Sequence, residues 1–535
     1  MMATAVAAPM VRPPVNKWLV TISISFGTLM GTIDASIINV AIPNIRGSVG
    51  ATLEEITWIS TGFALANVLV MPLTAFLGRM FGQKRVYMFC LALFLLGSAL
   101  CGMAHTLGAL VIFRVLQGFG AGALQPTEQA ILRQTFPPEE QGMAMALFAL
   151  AVMVGPAVGP TLGGWIVDNY SWPWIFFINL PVGALGLFMV YRFVHEAPDI
   201  LEANRAAAAN QRKNLDWIGI TLMCVGLAAL QYMLEEGQRD DWFDSKLIIA
   251  CAVVAVIALV AFVWRELTAK APVVNLSLFK DKVFLSGTLI SGVMFAMLMA
   301  NMFLLPVFME EMLGFSAIQS GIALFPRTLV MIIIVPMVGK LYNHLSPRLM
   351  VGFGIIMVSY GSYLMASFTL QTGTHQIVWS LVMQGIGFAF LFVPLTTVAL
   401  SSIPRHQMTD ATGLNSLIRQ IGGSIGLAIF ANSLSTSTTV AKASIANHLS
   451  RGEPHVFERL MAMSHALQAH GMDAASARTG ALKMLVGTAS QQAAVLGFER
   501  VFLLCGVSFV MVMPLLWFLK SPQHSGPVAE VHMEM

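Results

Sequence analysis

Long apolar runs alternate with short polar turns, many carrying proline or glycine, along nearly the whole chain. The runs fall at 18–41, 56–77, 86–104, 107–128, 142–165, 173–194, 215–234, 247–264, 283–308, 319–339, 349–368, 376–399, 412–431 and 500–519. Each is close to the ~20 residues that an α-helix needs to cross the hydrocarbon layer of a bilayer. The pattern therefore predicts an all-α polytopic membrane protein with fourteen spanning helices. The first run follows Arg12 and Lys17 and is longer than the apolar core of a signal peptide, so it reads as an uncleaved first span.

Composition sharpens this picture. The 535 residues are 57% hydrophobic and 11% charged, against about a quarter charged in soluble domains. No aqueous surface can be built from so few polar groups, so lipid must solvate much of the outer face. The net charge is +3, and no basic cluster interleaves with aromatics, so nucleic acid is not an expected partner. The five cysteines sit in apolar runs without C-x-x-C or Cys/His spacing. Neither a metal, a disulfide framework nor a cofactor is expected from them.

The charges are distributed unevenly. One set of turns carries Arg12, Lys17, Arg79, Lys84, Arg85, Arg133, Arg192, Arg205, Arg212, Lys213, Arg265, Lys270, Lys280, Lys282, Lys340, Arg348, Arg405 and Lys520. The opposite short loops carry only Arg46, Arg239 and Lys246, and segment 235–246 is acidic, with Glu235, Glu236, Asp240, Asp241 and Asp244. The positive-inside rule then places both termini in the cytoplasm, in agreement with an even number of spans. One outer segment is long, about 432–499; it is polar, alanine-rich and helix-prone. Its histidines, His448, His455, His465 and His470, lack the spacing of a helical metal pair and read as solvated.

The chain also repeats itself. Val115-Leu116-Gln117-Gly118-Phe119-Gly120 in the fourth run returns as Val382-Met383-Gln384-Gly385-Ile386-Gly387 in the twelfth, an offset of 384 − 117 = 267. Leu77 to Lys84 after the second run returns as Leu341 to Arg348 after the tenth, an offset of 341 − 77 = 264. Two matches at nearly one offset divide the chain into a six-helix bundle at 1–194, linkers with an inserted helix pair at 195–282, and a second six-helix bundle at 283–535. Two parallel six-helix bundles resemble the major facilitator fold.

Charges within the runs are few, and each is costly in lipid. Asp34 shares a helix face with Gly27 and Gly31, so it points into the bundle or a wet cavity. It is a candidate for proton coupling or for holding a cationic substrate, or else one half of a fixed salt bridge. Arg114 shares a face with Gln117, Gly118 and Ala121. Its repeat counterpart is Leu381, so building the helix does not require an arginine there. Gly155, Gly159 and Gly163 recur every four residues beside Pro156, Pro160 and Gly164. Their small-residue stripe would let a neighbouring helix pack closely at a kink. Arg419 precedes a small-residue face at Gly422, Gly423 and Gly426; it and Arg327 either face a cavity or snorkel toward a membrane surface. Asn39, Gln117, Asn301, Gln384, Arg327, Arg419 and Gln420 are the polar groups expected to line a substrate cavity between the halves. Glu128 reads as a solvated end of the fourth span, and most methionines and phenylalanines as lipid-facing filler.

Taken together, these motifs resemble the fourteen-helix drug:proton antiporters of the major facilitator superfamily, the EmrB/QacA type. The resemblance runs through Asp34 to Pro43, Arg114-x-x-Gln117-Gly118, the antiporter motif Gly155 to Gly164, Trp174 to Pro181, Leu215 to Gly219, and Arg419 to Gly426. It implies proton-coupled efflux of amphipathic or lipophilic molecules by alternating access, with Asp34 taking up the proton and Arg114 assisting. It also implies the inner membrane and a periplasmic adaptor with an outer-membrane channel as partners. One motif departs. The loop after the second span usually reads G-x-L-x-D-R-x-G-R-K, but Ala75 stands for its first glycine and Arg79 for its aspartate. The gating salt bridge attributed to that aspartate is therefore not implied for this chain. A dedicated exporter or importer of one metabolite or lipid is the rival reading. H-E-x-x-H, G-x-S-x-G and P-loop patterns are absent, so an embedded enzyme is not expected.

Overall fold

The computed structural model describes residues 16–196, 216–269, 272–450 and 454–519. Arg12, Arg205, Arg212, Lys213, Leu215, Lys270 and Lys520, used above for orientation or motif, lie outside the described residues, as do both termini and the side chain of His448. Segments that cross lipid must satisfy every backbone group internally, and the apolar runs do so as α-helices. The first half holds α1 (Lys17–Val49), α2 (Trp58–Phe81), α3 (Gln83–Gly102), α4 (Leu107–Ala121), α5 (Leu124–Thr135), α6 (Gln141–Asn169) and α7 (Asn179–Phe193). The insert is α8 (Trp217–Glu236) and α9 (Lys246–Thr268). The second half holds α10 (Lys282–Val307), α11 (Ala317–Leu341), α12 (Pro347–Met365), α13 (Thr374–Ala399), α14 (Met408–Ser450), α15 (Pro454–Ala469) and α16 (Ala474–Met511).

Thirteen helices among the described residues are long and apolar enough to cross a membrane by hydropathy. The remaining run, 412–431 in α14, falls short because Asn415, Arg419, Gln420 and a string of glycines dilute it. It is nevertheless packed inside the bundle. A Cβ on Gly422 would stand 2.5 Å from the Gly292 carbonyl oxygen of α10, so the two backbones touch there. Gly422 and Gly426 stand 267 residues beyond Gly155 and Gly159 (422 − 155 and 426 − 159), which makes this contact the second-half version of the α1–α6 contact.

Three expectations need correction. The fourth run does not end near residue 128: α4 breaks at Gly122–Ala123, and α5 carries on to Thr135 with Glu128, Gln129 and Arg133 buried. The segment 432–499, expected as a long outer loop of helix-prone composition, is helix over most of its described residues, because α14 and α16 continue beyond their apolar parts and α15 lies between them. Polar helical continuations of this kind leave no hydropathy signal. His455, His465 and His470 are exposed there. Third, Glu235 and Glu236 close α8 rather than sit in a loop, and Glu236 is buried, accepting from Thr61 Oγ1 at 2.7 Å and pairing with Arg239 at 2.7 Å.

The insert lies on the seam where α2 and α14 meet. Its α9 turns Val256, Ile257 and Val260 outward, each more than 60% exposed, which fits a lipid-facing helix. Asp216 caps α8, accepting from the Gly219 N–H at 3.0 Å and from Arg265 Nε of α9 at 2.8 Å. Burial works to raise its carboxyl, but these hydrogen bonds outweigh burial and hold it below the usual carboxylate range.

Candidate functional site

α1 carries Asp34, α4 carries Arg114 and Gln117, α3 carries Ser98, and α7 carries Asn179. The fold draws all five into one buried knot. Arg114 Nη1 donates to Asp34 Oδ2 at 2.6 Å and to Gln117 Oε1 at 2.9 Å, while its Nε reaches the Ile59 carbonyl at 3.3 Å. Asp34 Oδ1 accepts from Gln117 Nε2 at 2.9 Å and from Asn179 Nδ2 at 3.0 Å. Asn179 Nδ2 also donates to Ser98 Oγ at 3.0 Å. The Arg114 guanidinium lies 4.3 Å from the Phe63 ring centre. Asp34 and Arg114 are each 1% exposed, so in this conformation the pair is sealed from solvent and lipid alike. A buried pair holds only with further hydrogen bonds around it; here both Asp34 oxygens are met, and Arg114 is held through Nη1 and Nε.

The second half builds the same knot without the charges. Asn301 stands at the position of Asp34 and Leu381 at that of Arg114 (301 − 34 and 381 − 114 both give 267). Gln384 Nε2 donates to Asn301 Oδ1 and to Ser362 Oγ, both at 3.3 Å. Ser362 in turn matches Ser98 at an offset of 264 (362 − 98). Glycines let the helices close around both knots. A Cβ on Gly118 would meet the Phe63 carbonyl oxygen at 2.5 Å, and one on its counterpart Gly385 the Arg327 carbonyl oxygen at 2.8 Å.

The small-residue stripe of α6 packs on α1. A Cβ on Gly155 would overlap Thr32 Oγ1, one on Gly159 would overlap Ser36 Oγ, and one on Gly163 would come within 2.6 Å of Ile37 Cγ1. Thr32 and Ser36 each donate across to α6, to the carbonyls of Ala151 (3.3 Å) and Gly155 (3.2 Å). Pro156, Pro160 and Gly164 lie within the same helix, which remains continuous through both prolines.

The other expected cavity groups are scattered. Asn39 is exposed on α1, Gln420 is half-buried on α14, and Gln117, Asn301 and Gln384 belong to the knots. Arg327 on α11 is buried, and its Nη1 has no hydrogen-bond partner among the described residues. Arg419 is 2% exposed and sits among Phe148, Phe295 and Phe392. Neither arginine snorkels. Glu128 is not solvated: it is fully buried and accepts from Ser25 Oγ at 2.9 Å.

At the lysine- and arginine-rich end, side-chain hydrogen bonds cluster between the two halves. Arg79 Nη1 donates to both oxygens of Asp410 on α14 at 2.6 Å, and Arg79 Nη2 donates to the Val273 carbonyl at 3.1 Å. Gln83 Nε2 donates to Thr409 Oγ1 at 2.7 Å, Arg405 Nη2 to the Gln134 carbonyl at 3.1 Å, and Asn343 Nδ2 to the Glu139 carbonyl at 2.5 Å. The departure at Arg79 is thus met by a carboxylate on the opposite half, with the charges of the usual loop reversed. Sequence reading missed Asn179, Ser98 and Asp410. The recurrence of Ser98 as Ser362 and the place of Asn179 in the Trp174–Pro181 motif were available signals, whereas Asp410 is 331 residues from Arg79.

Residues 24–427 match the Major Facilitator Superfamily. The fatty acid resistance protein FarB of Neisseria gonorrhoeae is 34% identical over 95% of this chain and 97% of its own length. The multidrug export protein EmrB of Haemophilus influenzae is 33% identical over 94% of this chain and 96% of its own. Among solved structures, the proton:xylose symporter XylE aligns at a TM-score of 0.60 and 14% identity, covering 94% of this chain and 96% of that one, which speaks to fold alone. The chain is therefore a multi-pass transporter, not an enzyme, and belongs to the EmrB type of the Major Facilitator Superfamily.

Proposed function

We propose that the chain exports amphipathic or lipophilic small molecules from the cytoplasm in exchange for protons. The observation that carries this reading is the Asp34–Arg114 knot, charged in one half and neutral in the other. A proton on Asp34 removes its ion pair, leaving Arg114 held by Gln117, the Ile59 carbonyl and the Phe63 ring. That loosens α1 from α4 and so favours one arrangement of the halves over the other. Coupling follows only if substrate and proton bind the two arrangements with different affinity. In this reading the lysine- and arginine-rich end faces the cytoplasm of an inner membrane and is shut in this structure. A periplasmic adaptor and outer-membrane channel complete the exit route, with the helical segment 432–499 on the side that would meet them.

The test is transport in proteoliposomes with and without an imposed pH gradient. Asp34→Asn is expected to abolish gradient-driven uptake into inside-out vesicles. Unchanged gradient-driven transport by the variant would take Asp34 out of the mechanism. A second reading, a dedicated exporter of a single lipid-like metabolite, is favoured by the similarity to a fatty acid resistance protein. A deletion strain that turns sensitive to long-chain acids alone, among a broad drug panel, would select it.

A further inference from the structure

Arg419 and Arg114 are both fully buried arginines, and they differ in one respect. Arg114 has its carboxylate built in, 2.6 Å away. No carboxylate pairs with Arg419 among the described residues. Its Nη2 reaches Ser416 Oγ at 3.3 Å, while Nε and Nη1 have no hydrogen-bond partner. Asn415, one turn earlier on the same face of α14, is completely buried, and both of its amide atoms are unpartnered. The guanidinium instead lies 5.0, 5.6 and 5.7 Å from the ring centres of Phe295, Phe392 and Phe148. Aromatic faces attract a cation but satisfy none of its N–H donors, so they offset only part of its desolvation.

We propose that Arg419 and Asn415 form a receptor for the anionic head group of an amphiphilic substrate, a carboxylate fitting best, and that the three rings replace that anion when the halves are closed. This rests on the export reading above and names a substrate class for it. A guanidinium suits a carboxylate in both charge and planar shape, and the Asn415 amide adds a neutral donor. The rings that enclose the cation are also an apolar wall for the hydrocarbon body of such a molecule. Phe148 comes from α6 of the first half, whereas Phe295, Phe392 and Arg419 belong to the second. Parting the halves therefore withdraws one wall of the cage and opens the guanidinium to an incoming anion. Closing them returns Phe148 and makes the rings compete with the bound head group. The site binds in one arrangement and expels in the other, which is the differential affinity that transport needs.

The experiment is equilibrium binding of radiolabelled dodecanoate to the full-length protein in phosphatidylcholine nanodiscs, with dodecanol and dodecyltrimethylammonium as competitors. Wild type is expected to prefer the acid to the alcohol at least tenfold. Arg419→Met is expected to weaken dodecanoate at least tenfold and to leave dodecanol unchanged, Asn415→Leu to weaken the acid several-fold, and Arg419→Lys to lie between. Arg419→Met should also hold or raise the melting temperature, since it removes an unpaired buried charge; a purely structural arginine would lower it. If Arg419→Met does not fold, Arg419→Lys still decides the matter. In discs containing phosphatidylglycerol, loss of dodecanoate binding would assign the receptor to anionic lipid, and persistence would assign it to the free acid; both keep the anion site. Equal dodecanoate affinity in wild type and variants, or no preference for the acid, overturns the proposal. Binding is read without a pH gradient, so failure here leaves gradient-driven export standing, and loss of coupling in Asp34→Asn leaves the receptor standing.

Discussion

Removing Arg114 alone would strand Asp34 in the interior with only amide donors around its charge. Arg114→Leu is expected to destabilise the fold by about 3–5 kcal/mol, the usual cost of breaking a buried pair from one side. The second half indicates the remedy, because its knot folds with Asn301 and Leu381 in the same places. Asp34→Asn combined with Arg114→Leu should therefore recover most of the lost stability while remaining inactive in gradient-driven transport. Thermal unfolding in detergent reads this, and a double variant no more stable than Arg114→Leu would refute the equivalence of the knots. At this scale the sequence was legible where a charge stood in an apolar run, because lipid makes each such charge conspicuous. Asp34 and Arg114 surfaced for that reason, and Gln117 through the repeat that returns it as Gln384. Ser98 and Asn179 did not, because single hydroxyls and amides are common in spans; it is the fold that sets Asn179 on Asp34 and Ser98 behind Asn179. Glu128 was misread because the run around it ends while the helix does not.

At the scale of elements, α6 lies on α1 because three glycines remove the side chains that would hold the helices apart. Gly159→Ala places a methyl against Ser36 Oγ and is expected to cost about 1–3 kcal/mol of overpacking. Ser36→Ala in the same chain should return part of that, since it removes the nearest atom, the hydroxyl, and leaves Ser36 Cβ at 2.9 Å; melting temperatures of the two single variants and the double check it. The insert offers a pH test. The Asp216 carboxyl is held below its ordinary value, so its contribution is present above the unfolded value of about 3.9 and fades as pH falls through the folded one. Asp216→Ala should cost about 1 kcal/mol at neutral pH through loss of the α8 cap. Its partner Arg265 is 41% exposed, so the ion pair itself adds little. The gap in melting temperature between wild type and variant should close as pH drops below 4, and a constant gap would show that the charge plays no part. Helix positions were legible from the apolar runs, 412–431 in α14 included, although its polar and glycine positions, which face other helices, lower its mean hydropathy. The runs did not show the water-exposed continuations of α14 and α16.

At the scale of the whole molecule, side-chain hydrogen bonds between the two halves gather at the basic end among the described residues, and the Arg79–Asp410 ion pair is one of them. It is mostly shielded, with 14% and 5% of the two side chains exposed, and Arg79 also binds the Val273 carbonyl in the stretch leading from the insert to α10. Hydrogen bonds to charged groups contribute about 1.5–3 kcal/mol, so losing the pair should raise the population open at this end by roughly tenfold to a hundredfold. Asp410→Asn weakens the contact and leaves Arg79 charged; Arg79→Asp opposes two carboxylates and should open the end further. Arg79→Asp combined with Asp410→Arg restores attraction with the polarity of the usual loop. If the junction works through charge rather than through one particular side chain, this double variant should close again. Nitroxide labels at the exposed Phe81 and Leu345, in a chain cleared of its five cysteines, would report the separation of the halves by pulsed electron paramagnetic resonance. The longer distance should grow in each single variant and shrink in the double. Identical distance distributions in all four chains would mean that the Gln83–Thr409, Arg405–Gln134 and Asn343–Glu139 contacts hold the end shut without it. Sequence alone flagged Arg79 as out of place but offered no partner, because complementarity between halves is a property of the folded assembly and leaves no local pattern in either strand of the repeat.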